Sequence, residues 1–368
     1  MNRIERLLQE LCPEGVEYRK LGELCEFQRG NTITAKDASD GDVPVVAGGQ
    51  KPAYYHNVAN REGKTIVIAG SGAYAGFVTY WEIPIFVSDA FSVNPNKNLD
   101  TKYLYYYLKN IQEKIHSTKK GSGVPHVHGS SIAKFDIPVP PLPIQEEIVR
   151  ILDHFTELAA ELRAELQARK EQYEYYRNKL LTFEEGDERV RWMKMSDIYD
   201  MKSGKSISAS EISSMQTEEY PYPCYGGNGL RGYVATFNQE GEKVLVGRQG
   251  ALCGNVCFVC NFFYATEHAI VISDKGYCLP HYTFYLLTMM DLNQYKTAGA
   301  QPGLSISRLE KIKIPIPSLS EQQRIVSILD KFETLVNDLS QGLPAEIAVV
   351  QEQYEYYRNK LLTFNRKA

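Results

Sequence analysis

The chain has 368 residues, 43% of them hydrophobic, and a formal net charge of −4. That length suits two domains, each large enough to bury its own core. No segment is strongly basic, so charge alone does not announce a nucleic-acid binder, and no apolar run approaches the roughly 18 residues of a membrane span.

The first residues, MNRIERLLQELCPEG, predict an amphipathic helix and a turn. They lack the apolar stretch and cleavage site of a signal peptide, so the expected compartment is the cytoplasm, with no membrane partner. Residues 16–34 predict a short helix and a strand ending at Gly30. An equivalent returns at 190–208, with Gly204 matching Gly30 and Ile207 matching Ile33. A Gly-Gly-polar turn follows in each half, Gly48-Gly49-Gln50 and Gly226-Gly227-Asn228. Next come TIVIAGSGAYAG at 65–76 and KVLVGRQGALCG at 243–254. The alternation IVI and VLV predicts a buried strand, and the glycines allow tight turns behind it.

Aromatic and β-branched runs over 77–93 and 256–272 extend the sheet. Aromatic helices at 102–109 and 281–288 follow, then polar loops at 119–130 and 296–307, with Pro125 opposite Pro302. Each half closes on a proline-punctuated strand, FDIPVPPLP or IKIPIPSLS.

Long helices come after both. Ser320 with Gln323 reads as a capping box for the second, and Pro143 suits the first turn of the first. Apolar residues recur at steps of three and four. Ile148, Phe155, Leu162, Tyr173, Tyr176, Leu180 and Phe183 form one seam. Ile325, Phe332, Leu339, Tyr354, Tyr357, Leu361 and Phe364 form the other. Such a stripe is the mark of a coiled coil. Thirteen letters, EQYEYYRNKLLTF, occur identically at 171–183 and 352–364. The repeat offset grows by four residues between the helix starts and these tails. That predicts a stutter which keeps the seam on one face, with a kink or break at Gly342 and Pro344. The expected fold is α+β: two tandem, pseudo-symmetric, mixed α/β domains separated by two long helices that pair as an antiparallel coiled coil. The boundaries are 1–140 for the first domain, 141–183 for the first helix, 184–317 for the second domain and 318–368 for the second helix.

Enzyme signals fail on inspection. Gly204-Lys205-Ser206 ends like a phosphate-binding loop, but Tyr199 stands where that motif needs glycine. Gly70-Ser71-Gly72 is no nucleophile elbow. His126 and His128 face Gly303 and Ser305 in the repeat, which argues against a shared metal site. Cys253, Cys257 and Cys260 read as reduced thiols, because the first half has no cysteine in the corresponding stretch. No catalytic and no metal-binding residue is expected.

What remains is a set of polar loop tips on a repeated framework. The first half offers Gln50, Lys51, Ser71, Tyr74, Lys119, Lys120, Ser122, His126 and His128. The second offers Asn228, Arg231, Arg248, Gln249, Lys296 and Gln301. Arg and Lys pair with guanine edges and Asn and Gln with adenine edges in the major groove, while lysines beside glycines suit phosphates.

The blocks IPVPPLPIQEEIVRILDHF and IPIPSLSEQQRIVSILDKF, the repeated tails and the opening CPEGVEYRKLGEL resemble the specificity subunits of type I restriction–modification systems, over essentially the whole chain. The resemblance implies two target-recognition domains, each reading half of a bipartite double-stranded DNA site. It implies a coiled coil that spaces them, two docked methyltransferase subunits, and restriction subunits beyond those. This subunit itself would be non-catalytic. S-adenosylmethionine, ATP and magnesium would belong to the partners, and none of them to this chain. With roughly 60 Å of helix, the coil would act as a ruler between half-sites. Two other readings compete. One is a non-DNA scaffold with two ligand- or protein-binding domains on a coiled-coil rod. The other is an enzyme with a cryptic nuclease or methyltransferase site.

Overall fold

A computed structural model describes residues 3–121, 123–250, 252–297 and 302–367. The chain divides into two compact units, 1–163 with 346–368, and 164–345.

In the first unit the continuous apolar run Thr65–Ala69 is buried along its whole length. It takes a central place in a four-stranded antiparallel sheet, in the order Cys25–Arg29, Ala90–Pro95, Thr65–Ala69, Val78–Trp81. A smaller sheet sets Val43–Val46 between Tyr54–His56 and Phe86–Val87, parallel to the latter. Tyr18–Lys20 and Asp136–Pro138 form an antiparallel ribbon. The helix Thr101–Asn110 starts where the Asp100 carboxylate accepts from the Lys102 and Tyr103 amides, as N-capping requires. It buries Leu104 and Leu108 with Ile66, Ile68 and Val93 in one core.

The second unit repeats the plan. Its main sheet runs Tyr199–Ser203, Ala269–Asp274, Lys243–Gly247, Val256–Val259, and its ribbon pairs Val190–Lys194 with Lys313–Pro317. The smaller sheet has four strands, Gly229–Val234, Tyr222–Gly226, Phe262–Ala265 and Gln239–Glu240. The helix Pro280–Met289 takes the place of Thr101–Asn110.

The same two side chains fix each long helical segment to its domain. Gln145 is fully buried. Its amide donates to the Pro140 and Asn98 carbonyls at 2.6 and 3.0 Å, and its oxygen accepts from the Asp100 N–H at 2.8 Å. Gln322 does the same with the Pro317 and Tyr277 carbonyls and the Leu279 N–H. Two turns on, Tyr106 donates to Asp153 at 2.6 Å and Tyr285 to Asp330 at 2.7 Å. Burial, reinforced by these carboxylates, pushes both phenols far above their ordinary pKa.

The first long helix, Leu142–Leu181, runs unbroken for 40 residues and contributes to both units. In the first unit its early part lies antiparallel to residues after 346. Phe155 stacks on Tyr357 at 5.4 Å and Arg163 reaches Gln351 at 3.5 Å. In the second unit Tyr173 and Tyr176 pack on Phe332, with ring centroids at 6.2 and 5.7 Å. Ile148 and Ile325 are fully buried, and Tyr173 nearly so. Phe155, Leu162, Leu180, Phe183, Phe332, Tyr354, Leu361 and Phe364 are half-buried, while Tyr176 and Tyr357 keep more than a third of their surface exposed.

The second helical segment breaks at Gly342 and Pro344 as expected, but the expected stutter is absent. It is two helices, Leu319–Asn337 and Leu343–Leu361. The four extra residues form a turn, not a stutter. The Asp338 carboxylate accepts from the Ser340 and Gln341 amides. A Cβ on Gly342 would meet the Thr334 carbonyl at 2.3 Å, so only glycine fits this crossing, and Pro344 sits in the first turn of the new helix, where it is tolerated. Leu339 falls in that turn and is 83% exposed, so it is no seam residue. The N-cap is Ser318, whose hydroxyl accepts from the Glu321 N–H, rather than Ser320. Among the described residues no helix is long and apolar enough to cross a membrane.

Candidate nucleic-acid interface

Three loops meet at one rim of each unit, and the backbone bonds that join them are the same in both. In the first unit the Val127 N–H donates to the Gly70 carbonyl at 2.9 Å and the Gly72 N–H to Pro125 at 3.0 Å. In the second, Leu304 donates to Arg248 at 2.8 Å and Gly250 to Pro302 at 3.0 Å. The third loop closes in through glycine. A Cβ on Gly48 would stand 2.7 Å from the Ser71 carbonyl, and one on Gly227 2.8 Å from the Gln249 carbonyl. Backbone groups that would otherwise need water are thus satisfied within the rim, which fixes its shape.

On this frame the two units carry different side chains. In the first, Gln50, Lys51, Tyr74, Lys120, His126 and His128 are exposed. The His126 and His128 rings lie parallel within 15°, centroids 6.5 Å apart, and line a concavity with Arg29, Asp89, Phe27 and Phe91. Ser71 and Lys119 face partly inward. The Ser71 hydroxyl is taken by the Asp89 carboxylate, and the Lys119 ammonium donates to the Ala73 carbonyl at 3.4 Å.

In the second unit Asn228, Arg231, Gln249 and Lys296 are exposed. The first three line one concavity with Leu230 and His268. Arg248 is half-buried, its guanidinium 3.5 Å from the Glu267 carbonyl, and Lys296 donates to Asn293 at 2.8 Å. Ser122 and Gln301 lie outside the described residues. The rim therefore brings together donors that suit guanine, amides that suit adenine and cations that suit phosphate.

Asp89, Arg29, Glu267 and His268 at these rims were not anticipated from the sequence. The one signal was that Asp89 and Glu267 stand at the same bend of the repeat. Among the described residues no group of three His, Cys, Asp or Glu side chains is placed to hold a metal ion. Cys253 is buried, and burial raises the half-buried Cys257 thiol above its ordinary pKa, as expected for inert thiols.

The family described as "Type I restriction modification DNA specificity domain" matches residues 13–169 and 188–349. The type I restriction enzyme EcoprrI specificity subunit of Escherichia coli is 44% identical over 253 residues; the match takes in 66% of this chain and 63% of that protein, so less than two thirds of its length is spanned. The EcoR124I/EcoR124II specificity subunit, also from Escherichia coli, is 30% identical across 99% of this chain and 97% of its own. Among solved structures, the type I S subunit from M. genitalium superposes with a TM-score of 0.67 at 19% identity, covering 95% of this chain and 96% of its own. The HsdS subunit from Thermoanaerobacter tengcongensis superposes with a TM-score of 0.51. Two units on one frame, each with its own rim chemistry, are accordingly the two copies of the matched domain, and the chain belongs to the type I restriction–modification DNA specificity family.

Proposed function

We propose that each unit reads one half of a bipartite double-stranded DNA site through its three-loop rim, and that the chain is the non-catalytic specificity subunit of a larger complex. The observation that carries this is the repetition of the rim's hydrogen bonds with different side chains at its edge. A fixed frame holds the loops at base edges, and the tips set which bases are accepted. The net charge of −4 fits a subunit whose partners share the phosphate contacts.

Methyltransferase subunits, two of them, are the partners we assign to the helices. The support lies in the outward face of the repeated tails. Packing requires the inward letters alone to agree, yet the outward ones agree too. Tyr175 and Tyr356 are each 59% exposed, with Lys179 and Lys360 over their rings at 5.6 and 5.7 Å. One surface displayed twice suits one protein bound twice. S-adenosylmethionine and adenine methylation belong to that partner, ATP and magnesium to the restriction subunits, and the assembly works in the cytoplasm. The length of Leu142–Leu181 sets the spacer between half-sites, so a four-residue change there alters spacer length and leaves the letters unchanged.

Mapping methylated bases across the genome of a host carrying the whole system tests the reading. The expected result is one bipartite motif with a fixed spacer. Methylation without such a motif, or complex retention on DNA that does not weaken with salt, overturns it.

A further inference from the structure

The two units differ by one residue at the bend that enters the strand beside the rim. Ala69 pairs with Ala90 in the first unit and Gly247 with Ala269 in the second. Upstream, Gly30 abuts the Val87 and Ser88 carbonyls as Gly204 abuts those of Ala265 and Thr266. The second unit therefore has one residue more in this bend: Asp89 matches Glu267 when counted from the upstream glycine, while by its carbonyl, which accepts from the Gly70 N–H, it matches His268. The His268 carbonyl accepts from the Arg248 N–H at 2.7 Å, which holds this residue in the rim, and it shares a concavity with Asn228, Arg231 and Gln249.

The polar atoms here are not used up as they are in the first unit. Asp89 accepts from the Ser71 hydroxyl. Glu267 reaches only its neighbour, with Oε1 3.2 Å from His268 Nε2. Its other oxygen and His268 Nδ1 are buried atoms without a hydrogen-bond partner, as is the hydroxyl of the fully buried Thr266. Buried polar atoms are nearly always partnered, and each exception calls for a ligand, a water or strain. Of these three residues His268 lines the concavity whose edge carries Arg231 and Gln249, and Glu267 is joined to His268 through Oε1.

We infer that Glu267 and His268 form a base-reading pair specific to the second unit, with the Glu267 carboxylate accepting from the exocyclic amine of a cytosine or adenine in the major groove. This rests on the DNA-reading function proposed above. A carboxylate offers acceptors alone, so it favours an amine and rejects a carbonyl at the same position. Glu267→Gln keeps the shape and adds a donor, while His268→Ala removes the imidazole that lines the concavity.

The experiment is a genome-wide methylation map of hosts carrying the full complex with wild-type, Glu267→Gln or His268→Ala subunits. The expected result is relaxed or altered preference at one or two adjacent positions of a single half-site. Discrimination there falls on the order of 10-fold or more, while the other half-site and the spacer are unchanged. Identical maps for both variants overturn the inference, as does a uniform loss across all sites, which marks a structural role. If the wild-type map itself lacks a bipartite motif, the DNA reading has failed rather than this pair.

Discussion

Asp89 and Glu267 stand at the same rim bend in the two units, one bonded to Ser71 and the other with one oxygen on His268 and one buried without a partner. At the start of the long helices, by contrast, Gln145 and Gln322 make the same three bonds in both units. The contrast separates two demands on a duplicated domain. Groups that fix the helix to the sheet are buried and geometrically exact in their needs, so both copies keep them. Groups at the rim answer to a partner outside the chain, and the copies diverge there at little cost in stability.

Mutations can break or sharpen that contrast. The largest effect is expected at Gly30 and Gly204. An added Cβ would lie 2.3 Å from the Ser88 carbonyl and 2.1 Å from that of Ala265. Gly30→Ala and Gly204→Ala should each cost about 3 kcal/mol or more, since backbone cannot yield as a side chain can. Urea unfolding followed by hydrogen exchange in the adjacent strands measures it. A difference above about 1 kcal/mol between the two would break the equivalence of the frames.

Gln145→Ala and Gln322→Ala come next. Each leaves buried backbone groups unpaired, for an expected loss of about 2–3 kcal/mol in its own unit. Arg231→Ala should leave stability within about 0.5 kcal/mol yet lower discrimination by about 1–3 kcal/mol, in the half-site of the second unit alone. Quantitative methylation of site variants reads this out. Tyr106→Phe and Tyr285→Phe should be mildest, about 1 kcal/mol each, because Asp153 retains Lys102 at 2.9 Å and Asp330 retains His281 at 3.0 Å. Thermal shifts of the paired variants should match.

Much of the frame was legible because it is local or repeated. The runs at 65–69 and 243–247, the aromatic helices and the identical tails each carry their period within a few residues. The smaller sheets were not read. Val43–Val46 pairs in parallel with Phe86–Val87, some forty residues on, and nothing within either segment names its mate. The role of Gln145 and Gln322 was hidden for a related reason. A glutamine in a first helical turn looks like a cap until the carbonyls that surround it are known, and Gln323, taken as the capping partner, is exposed. Leu339 misled in the opposite way. Its spacing continues the seam, but the turn set by Asp338 and Gly342 lifts it out. At the rims, tips beside glycines were found, whereas Asp89 and Glu267 sit at a strand entrance, where an acid carries no local signal.

The division of the chain has a consequence for the order in which the protein is made. The second unit is one continuous stretch, 164–345, whereas the first is completed by residues after 346. Leu362 lies in the first unit's core, and the backbone of Asn365 and Lys367 bonds to Val16. On the ribosome the N-terminal unit therefore waits, with part of its core uncovered, while the later unit is synthesised and can close first. The usual sequence, in which the domain translated first also finishes folding first, is reversed. A nascent chain stalled before residue 346 should bind chaperones through the earlier half, and release should follow once the tail emerges.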